Sequence, residues 1–131
     1  MANEFDDQPL RHGFAYNDLL GQDKWIAWTP VFGSLTVVGA TAYTGRFRIV
    51  GRWCQFQVQF SAATSIASTA GTDYLNAPIA IAGLSGIAVM TNSTTQIAVG
   101  VCHVEVSSSR IYLPSQTASG NVFTLSGSYE I

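Results

Sequence analysis

Between Gly45 and Phe60 the chain reads GRFRIVGRWCQFQVQF, and from Cys54 onward every second residue is apolar. Cys54, Phe56, Val58 and Phe60 alternate with Gln55, Gln57 and Gln59. A period of two puts these sets on opposite faces of an extended strand. The end of the chain repeats the pattern: Phe123, Leu125, Gly127, Tyr129 and Ile131 oppose Val122, Thr124, Ser126, Ser128 and Glu130. This predicts a last strand pinned inside a sheet. Other short runs, bounded by Gly, Ser, Thr and Asn, are WIAWTPVF, SLTVVGA, YTGRFRIV, DYLNAPIAIAG, GIAVM, QIAVGVCHVEVS and RIYLPS. Pro30 marks the first as an edge or a bulge, and Gly51–Arg52 reads as a two-residue link. No amphipathic helix of any length interrupts them. The pattern predicts an all-β fold of about eight strands, an antiparallel β-sandwich, jelly roll or small barrel, with an extended N-terminal arm.

Residues 96–107 alternate less cleanly. Ala98, Gly100, Cys102, Val104 and Val106 share one face, and Ile97, Val99, Val101, His103 and Glu105 the other. Both faces begin apolar, as in a strand covered on both sides. The core would cover one and a second subunit the other.

The first 24 residues lack strand alternation. Glu4, Asp6, Asp7, Asp18 and Asp23 stand there against Arg11 and Lys24, interspersed with Phe5, Leu10, Phe14, Tyr16, Leu19 and Leu20. AYNDLLGQ suits one or two helical turns, with Gly21 as a stop signal. Disordered leaders rarely hold so many aromatics and leucines. Residues 1–24 therefore read as an attachment arm that orders on a neighbouring molecule, with Phe5, Phe14, Tyr16, Leu19 and Leu20 as anchors. Residues 25–131 read as the β-sandwich domain.

Composition sharpens this. The 131 residues suit one domain, 47% are apolar, and only 11% are charged, against a usual ~25%. Such a surface is solvated by Ser, Thr, Asn and Gln or hidden in an oligomer. A net charge of -2 lacks the basic footprint of nucleic-acid binding. No run is apolar for the ~18 residues of a membrane span, and the acidic N-terminus is unlike a signal peptide. Cys54 and Cys102 then read as buried free thiols. Cys102 and His103 point to opposite faces of a strand and cannot chelate one ion.

Catalytic constellations are thin. His103 and Glu105 share a face, and Ser107, Ser109 or Asp73 would have to reach them from elsewhere. Beyond the first 24 residues only Asp73, Glu105 and Glu130 are acidic, few for a glycosidase pair. His12 reads as solvated, and no Gly-rich loop opens a helix to cradle phosphate. Asn92-Ser93-Thr94 is formally a glycosylation sequon but reads as a polar hairpin loop. The reading is of a protein with neither enzymatic activity nor a cofactor. Trp25, Trp28, Trp53, Tyr43, Tyr74 and Tyr112 are aromatics able to stack on a ligand such as a sugar, though core or interface is the commoner role of each; Tyr43, Tyr74 and Tyr112 are kept as the ligand-contact candidates.

Gln55, Gln57 and Gln59, with Arg46 and Arg48, form the predicted subunit interface. A charge repeated about a symmetry axis meets its own likeness, whereas an amide both donates and accepts. The arginines would meet the acidic arm of a neighbouring copy. Surface ion pairs contribute about 0–1 kcal/mol each, so anchors such as Phe14 and Leu20 would supply most of the affinity.

Taken together, WIAWTPVF, YTGRFRIVGRWCQFQVQF, the Gly/Ala/Ser-rich short strands and the closing FTLSGSYEI resemble a small β-domain of tailed-bacteriophage virion proteins. The element Gly45, Arg46, Phe47 and Gly51 leads into a long strand, and Tyr129 stands near the C-terminus. The resemblance covers residues 25–131. It implies a jelly-roll-like sandwich, usually trimeric, on capsid surfaces or fibre tips, and non-enzymatic. Only 24 residues precede the domain, which favours a head-decoration protein or short head fibre over a shafted tail fibre. The expected partners are further copies of the chain, the major capsid protein or another virion protein, and a host surface receptor in the case of a fibre tip. The expected location is the particle surface, after assembly in the host cytoplasm. A stand-alone lectin-like module is the alternative of a different class.

Overall fold

The computed structural model describes Lys24–Ile131. The proposed arm anchors Phe5, Phe14, Tyr16, Leu19 and Leu20 lie outside the described residues, as does AYNDLLGQ. Every regular element described is a strand: β1 Ile26–Trp28, β2 Phe32–Gly33, β3 Thr36–Val38, β4 Thr41–Val50, β5 Trp53–Ala62, β6 Ser65–Ser68, β7 Tyr74–Asn76, β8 Gly86–Asn92, β9 Ile97–Glu105, β10 Arg110–Tyr112, β11 Gln116–Ser119 and β12 Val122–Glu130. The all-β, sandwich-like architecture follows the alternation, with more and shorter strands than the expected eight. WIAWTPVF is two strands, not one. The chain turns at buried Pro30, so that β1 and β2 end on opposite margins of one sheet.

That sheet runs β1-β4-β5-β12-β8-β9-β10-β7-β2, its described pairings all antiparallel, and a smaller one runs β11-β6-β3. The large sheet curls. Phe32 of β2 meets Phe60 of β5 at 4.9 Å and Tyr43 of β4 at 5.1 Å between ring centroids. Its two halves thereby face each other across one core, the physical content of a sandwich. Cys54, Phe56, Val58 and Phe60 face inward, as the alternation requires, against Tyr129, Leu125 and Phe123 of the neighbouring strand. Phe60 stacks on Phe123 at 5.5 Å and Phe56 tilts against Tyr129 at 6.0 Å. Ile66 from the small sheet and Leu75 and Ile111 from the far half complete the core.

Strand β12 lies between β5 and β8, which confirms that the C-terminal segment is held inside a sheet. Gly51 opens the β4–β5 turn at φ +61°, a conformation that glycine adopts without strain. At Gly127 the constraint is space: a Cβ would lie 2.3 Å from the Ile87 carbonyl oxygen. Buried Tyr129 donates its hydroxyl proton to the Ile79 carbonyl at 2.8 Å and accepts the Ile79 N–H at 3.2 Å. It thus ties the irregular 77–85 segment to the central strand. DYLNAPIAIAG is strand only over Tyr74–Asn76. Its later amides bond elsewhere, Ile81 to the Ser109 hydroxyl and Ala82 and Gly83 to the Glu130 carbonyl.

The alternation expected across 98–106 is corrected at one point. Met90 pairs with Gly100, but Thr91 pairs with Ala98, so Val99 is an extra residue in a bulge. Gly100 and Cys102 keep the inward parity, Ala98 turns outward, and Val99 packs partly against the core. Cys54 and Cys102 are buried free thiols, as read from the sequence.

Candidate functional site

The outward face of β4, β5 and β12 is built by register. Arg48, Gln55 and Ser128 form one row, Arg46, Gln57 and Ser126 the next, and Thr44, Gln59 and Thr124 a third. Arg46 donates from Nε and Nη2 to the Gln57 Oε1 at 2.9 and 2.7 Å, and Arg48 Nε donates to Gln55 Oε1 at 2.7 Å. Trp25 lies over both guanidinium groups, at 4.7 and 4.9 Å from its ring centroid, a cation–π arrangement. This changes what the glutamines offer. The arginines use amide oxygens of Gln55 and Gln57, leaving outward NH2 groups beside guanidinium N–H groups, all of them donors. Two shallow depressions flank the Arg46–Gln57 pair. One, of about 420 Å³, is lined by Thr44, Gln59 and Thr124; the other, of about 260 Å³, by Trp25, Ser126 and Ser128.

Beside this donor surface runs an apolar stripe. Val89 of β8 pairs with Val101 of β9 on the outward side, next to Ile87. Ile87 is 59% exposed and Val101 67%.

Across the curl the same face becomes aromatic. His103, Tyr112 and Tyr74 are cross-strand neighbours on β9, β10 and β7, and Glu105, Arg110 and Asn76 form the adjacent row. Tyr112 lies 5.6 Å from Tyr74 and 6.3 Å from His103 between centroids. The Arg110 guanidinium sits 4.0 Å over the Tyr74 ring. Its interaction with the Tyr112 hydroxyl holds it above the usual arginine range, so it stays charged. A cleft of about 510 Å³ opens between β9, Tyr112 and the turn at Ala70–Gly71. Of the three tyrosines singled out from sequence, Tyr74 and Tyr112 meet here. Tyr43 does not join them: half-buried, it packs on Phe32 at the core side of β4.

The catalytic candidates are dispersed into other contacts. The Glu105 carboxylate accepts the Ser108 hydroxyl. Asp73, 3% exposed, accepts the Thr69 N–H at 2.7 Å and closes a tight turn. Ser109 accepts the Ile81 N–H at 3.0 Å. Burial pushes the Cys102 thiol up to about 12 and raises Cys54, an effect that Tyr129 partly offsets at Cys54. Thiols held protonated in this way are poor nucleophiles. Burial likewise raises Tyr129, reinforced by its contact with Cys54. Trp28 meets Phe47 edge-on at 6.5 Å, and Trp53 is 40% exposed at the start of β5.

No family model, curated protein or solved structure matches the chain. The Trp25 stack and the His103–Tyr112–Tyr74 row were not singled out from sequence. Tyr74 and Tyr112 were named singly as ligand-contact aromatics, but the row depends on β7 pairing with the distant β10, and the stack on Trp25 meeting β4, which no local pattern encodes.

Proposed function

We propose that this chain is a non-enzymatic structural protein of a tailed-bacteriophage virion, a capsid-decoration or short head-fibre protein that works as a homotrimer. Residues 1–24 fasten it to the particle, and the domain is a jelly-roll-like sandwich. The observation that carries the reading is the outward face of the large sheet, where Ile87 and Val101 stand exposed among the described residues beside guanidinium and amide hydrogen-bond donors. An apolar stripe of this kind marks a protein–protein contact.

The donor surface also bears on symmetry. A two-fold axis passing at the Arg46–Gln57 pair would set guanidinium against guanidinium and amide N–H against amide N–H. In a closed ring each copy offers this face to a different surface of the next, and three is the smallest such ring. The acceptors that answer it are the carboxylates of Glu4, Asp6, Asp7, Asp18 and Asp23. The ring bridges neighbouring capsid subunits and raises the particle's resistance to internal pressure. A second reading, a receptor-binding fibre tip, is favoured by the aromatic cleft around Tyr112.

Light scattering on the full-length protein, followed by co-sedimentation with matching empty capsids, tests the proposal. The expected result is a mass three times the 14.0 kDa of the chain and saturable binding to capsids. A trimer that ignores capsids and adheres to host cells selects the second reading. A monomer that does neither overturns both.

A further inference from the structure

We infer that the cleft between β9, Tyr112 and the 69–71 turn is a saccharide-binding site, in which one pyranose ring stacks on Tyr112 and its hydroxyls bond to Glu105 and His103. This stands independently of trimer formation and capsid attachment. The cleft measures about 510 Å³, within the roughly 300–1,000 Å³ of small-molecule sites. Its walls divide by chemistry. Pro114 and the Tyr112 ring supply an apolar side, and His103, Glu105 and Ser115 a hydrogen-bonding side; Val101 stands at the end towards the exposed stripe and is not needed to hold the ring. A pyranose has the same two sides, a patch of C–H groups on its face and hydroxyls around its rim.

The lining also selects against other ligands. It holds one carboxylate and neither lysine nor arginine, which disfavours phosphates and nucleotides. Arg110, in the adjacent row, lies over the Tyr74 ring and against the Tyr112 hydroxyl, so its charge sits at the rim and is partly answered by Glu105. A carboxylate has two acceptor oxygens and can take two neighbouring hydroxyls, and charge-assisted bonds are the stronger kind. One side of this carboxylate is already positioned by the Ser108 hydroxyl.

The walls are fixed before any ligand arrives. Tyr112 sits on a strand paired on both sides. The turn opposite is held by the Thr69 N–H on buried Asp73, the Ala70 N–H on the Ser115 hydroxyl at 2.8 Å, and the Ser68 hydroxyl on the Pro114 carbonyl at 2.7 Å. Binding therefore need not order the site, which lowers its entropic cost.

The test is a printed panel of defined neutral and acidic oligosaccharides probed with the full-length protein, each hit then titrated in solution by NMR. The expected result is binding of neutral glycans, with affinity reduced about tenfold or more in Tyr112→Ala and Glu105→Gln, the scale of one lost stacking or charge-assisted contact. Tyr112→Phe keeps the ring and should stay within about threefold. Should Tyr112→Ala fail to fold, Glu105→Gln and ligand-induced shifts at the His103 and Gly71 amides of the unaltered protein decide. No binding at millimolar glycan, hits confined to anionic glycans, or affinity indifferent to Glu105→Gln would each overturn the inference. The oligomer and capsid measurements are unaffected by this outcome, so the two ideas fail separately.

Discussion

Tyr129 shows how much one side chain can hold in this fold. Its hydroxyl bonds both the carbonyl and the N–H of Ile79, in a buried place where water cannot substitute. Tyr129→Phe leaves both backbone groups short of a partner, and urea denaturation should report a loss of about 1–3 kcal/mol. The same residue predicts a pH dependence. Tyr129, Cys54 and Cys102 all have raised pKa values in the folded protein, against ordinary values of 10.0 for tyrosine and 9.0 for cysteine. Below about pH 8 all three are neutral in both states and stability is indifferent to them. Above it, the unfolded chain loses these protons while the folded one keeps them, so the unfolded state gains. Thermal melts should thus show constant stability from pH 7 to 8 and a steepening fall beyond about pH 9–10, shallower in Tyr129→Phe. The position of Tyr129 on the inward face was legible from its alternation with Ser128 and Glu130. Its partner was not, because Ile79 lies fifty residues away in a segment with no period.

The strands divide in the same way between what local pattern encodes and what only assembly decides. Strands β5 and β12 were legible because a one-residue slip would turn Phe56, Phe60, Phe123 and Leu125 out into water. The bulge at Val99 was not: both faces of 96–107 are apolar at that point, so hydrophobicity does not distinguish the two registers. β11, with sequence QTAS, has no apolar face to announce it and exists by pairing with β6. The splitting of WIAWTPVF was half legible, since Pro30 marked a break but not that its two sides part to opposite margins of the sheet. Gly127 gives this level its prediction. Its neighbours at the would-be Cβ are the backbone of Ile87 and Ala88, which cannot rotate away as a side chain can. Gly127→Ala should cost about 1–3 kcal/mol or more by overpacking, read as a lowered denaturation midpoint. Gly51→Ala has nothing within 4 Å of its Cβ and should cost only the strain of a positive φ, about 1–2 kcal/mol.

For the molecule as a whole, the question is what covers the outward face of the large sheet. The sequence showed its composition, amides and hydroxyls beside two arginines, and an apolar second face on 96–107. It did not show that the arginines reach sideways to the Gln55 and Gln57 oxygens under Trp25, because that depends on cross-strand register and on rotamers. Two substitutions separate the parts of the proposed interface. Val101→Lys puts a charge into the exposed apolar stripe without touching the core, so light scattering should find folded monomers of 14.0 kDa. Gln57→Glu acts on the donor surface. Within one chain it exchanges a neutral acceptor for a charged one beside Arg46, and at an exposed site this adds about 0–1 kcal/mol of stability. Between chains it removes an amide donor and cancels the Arg46 charge that a neighbour's carboxylates would seek, so the trimer should dissociate at about tenfold higher concentration or more. A melt that holds or rises together with a mass that falls on dilution is the signature of a donor surface facing another copy. A mass unchanged down to nanomolar concentration would move the subunit contact to another face.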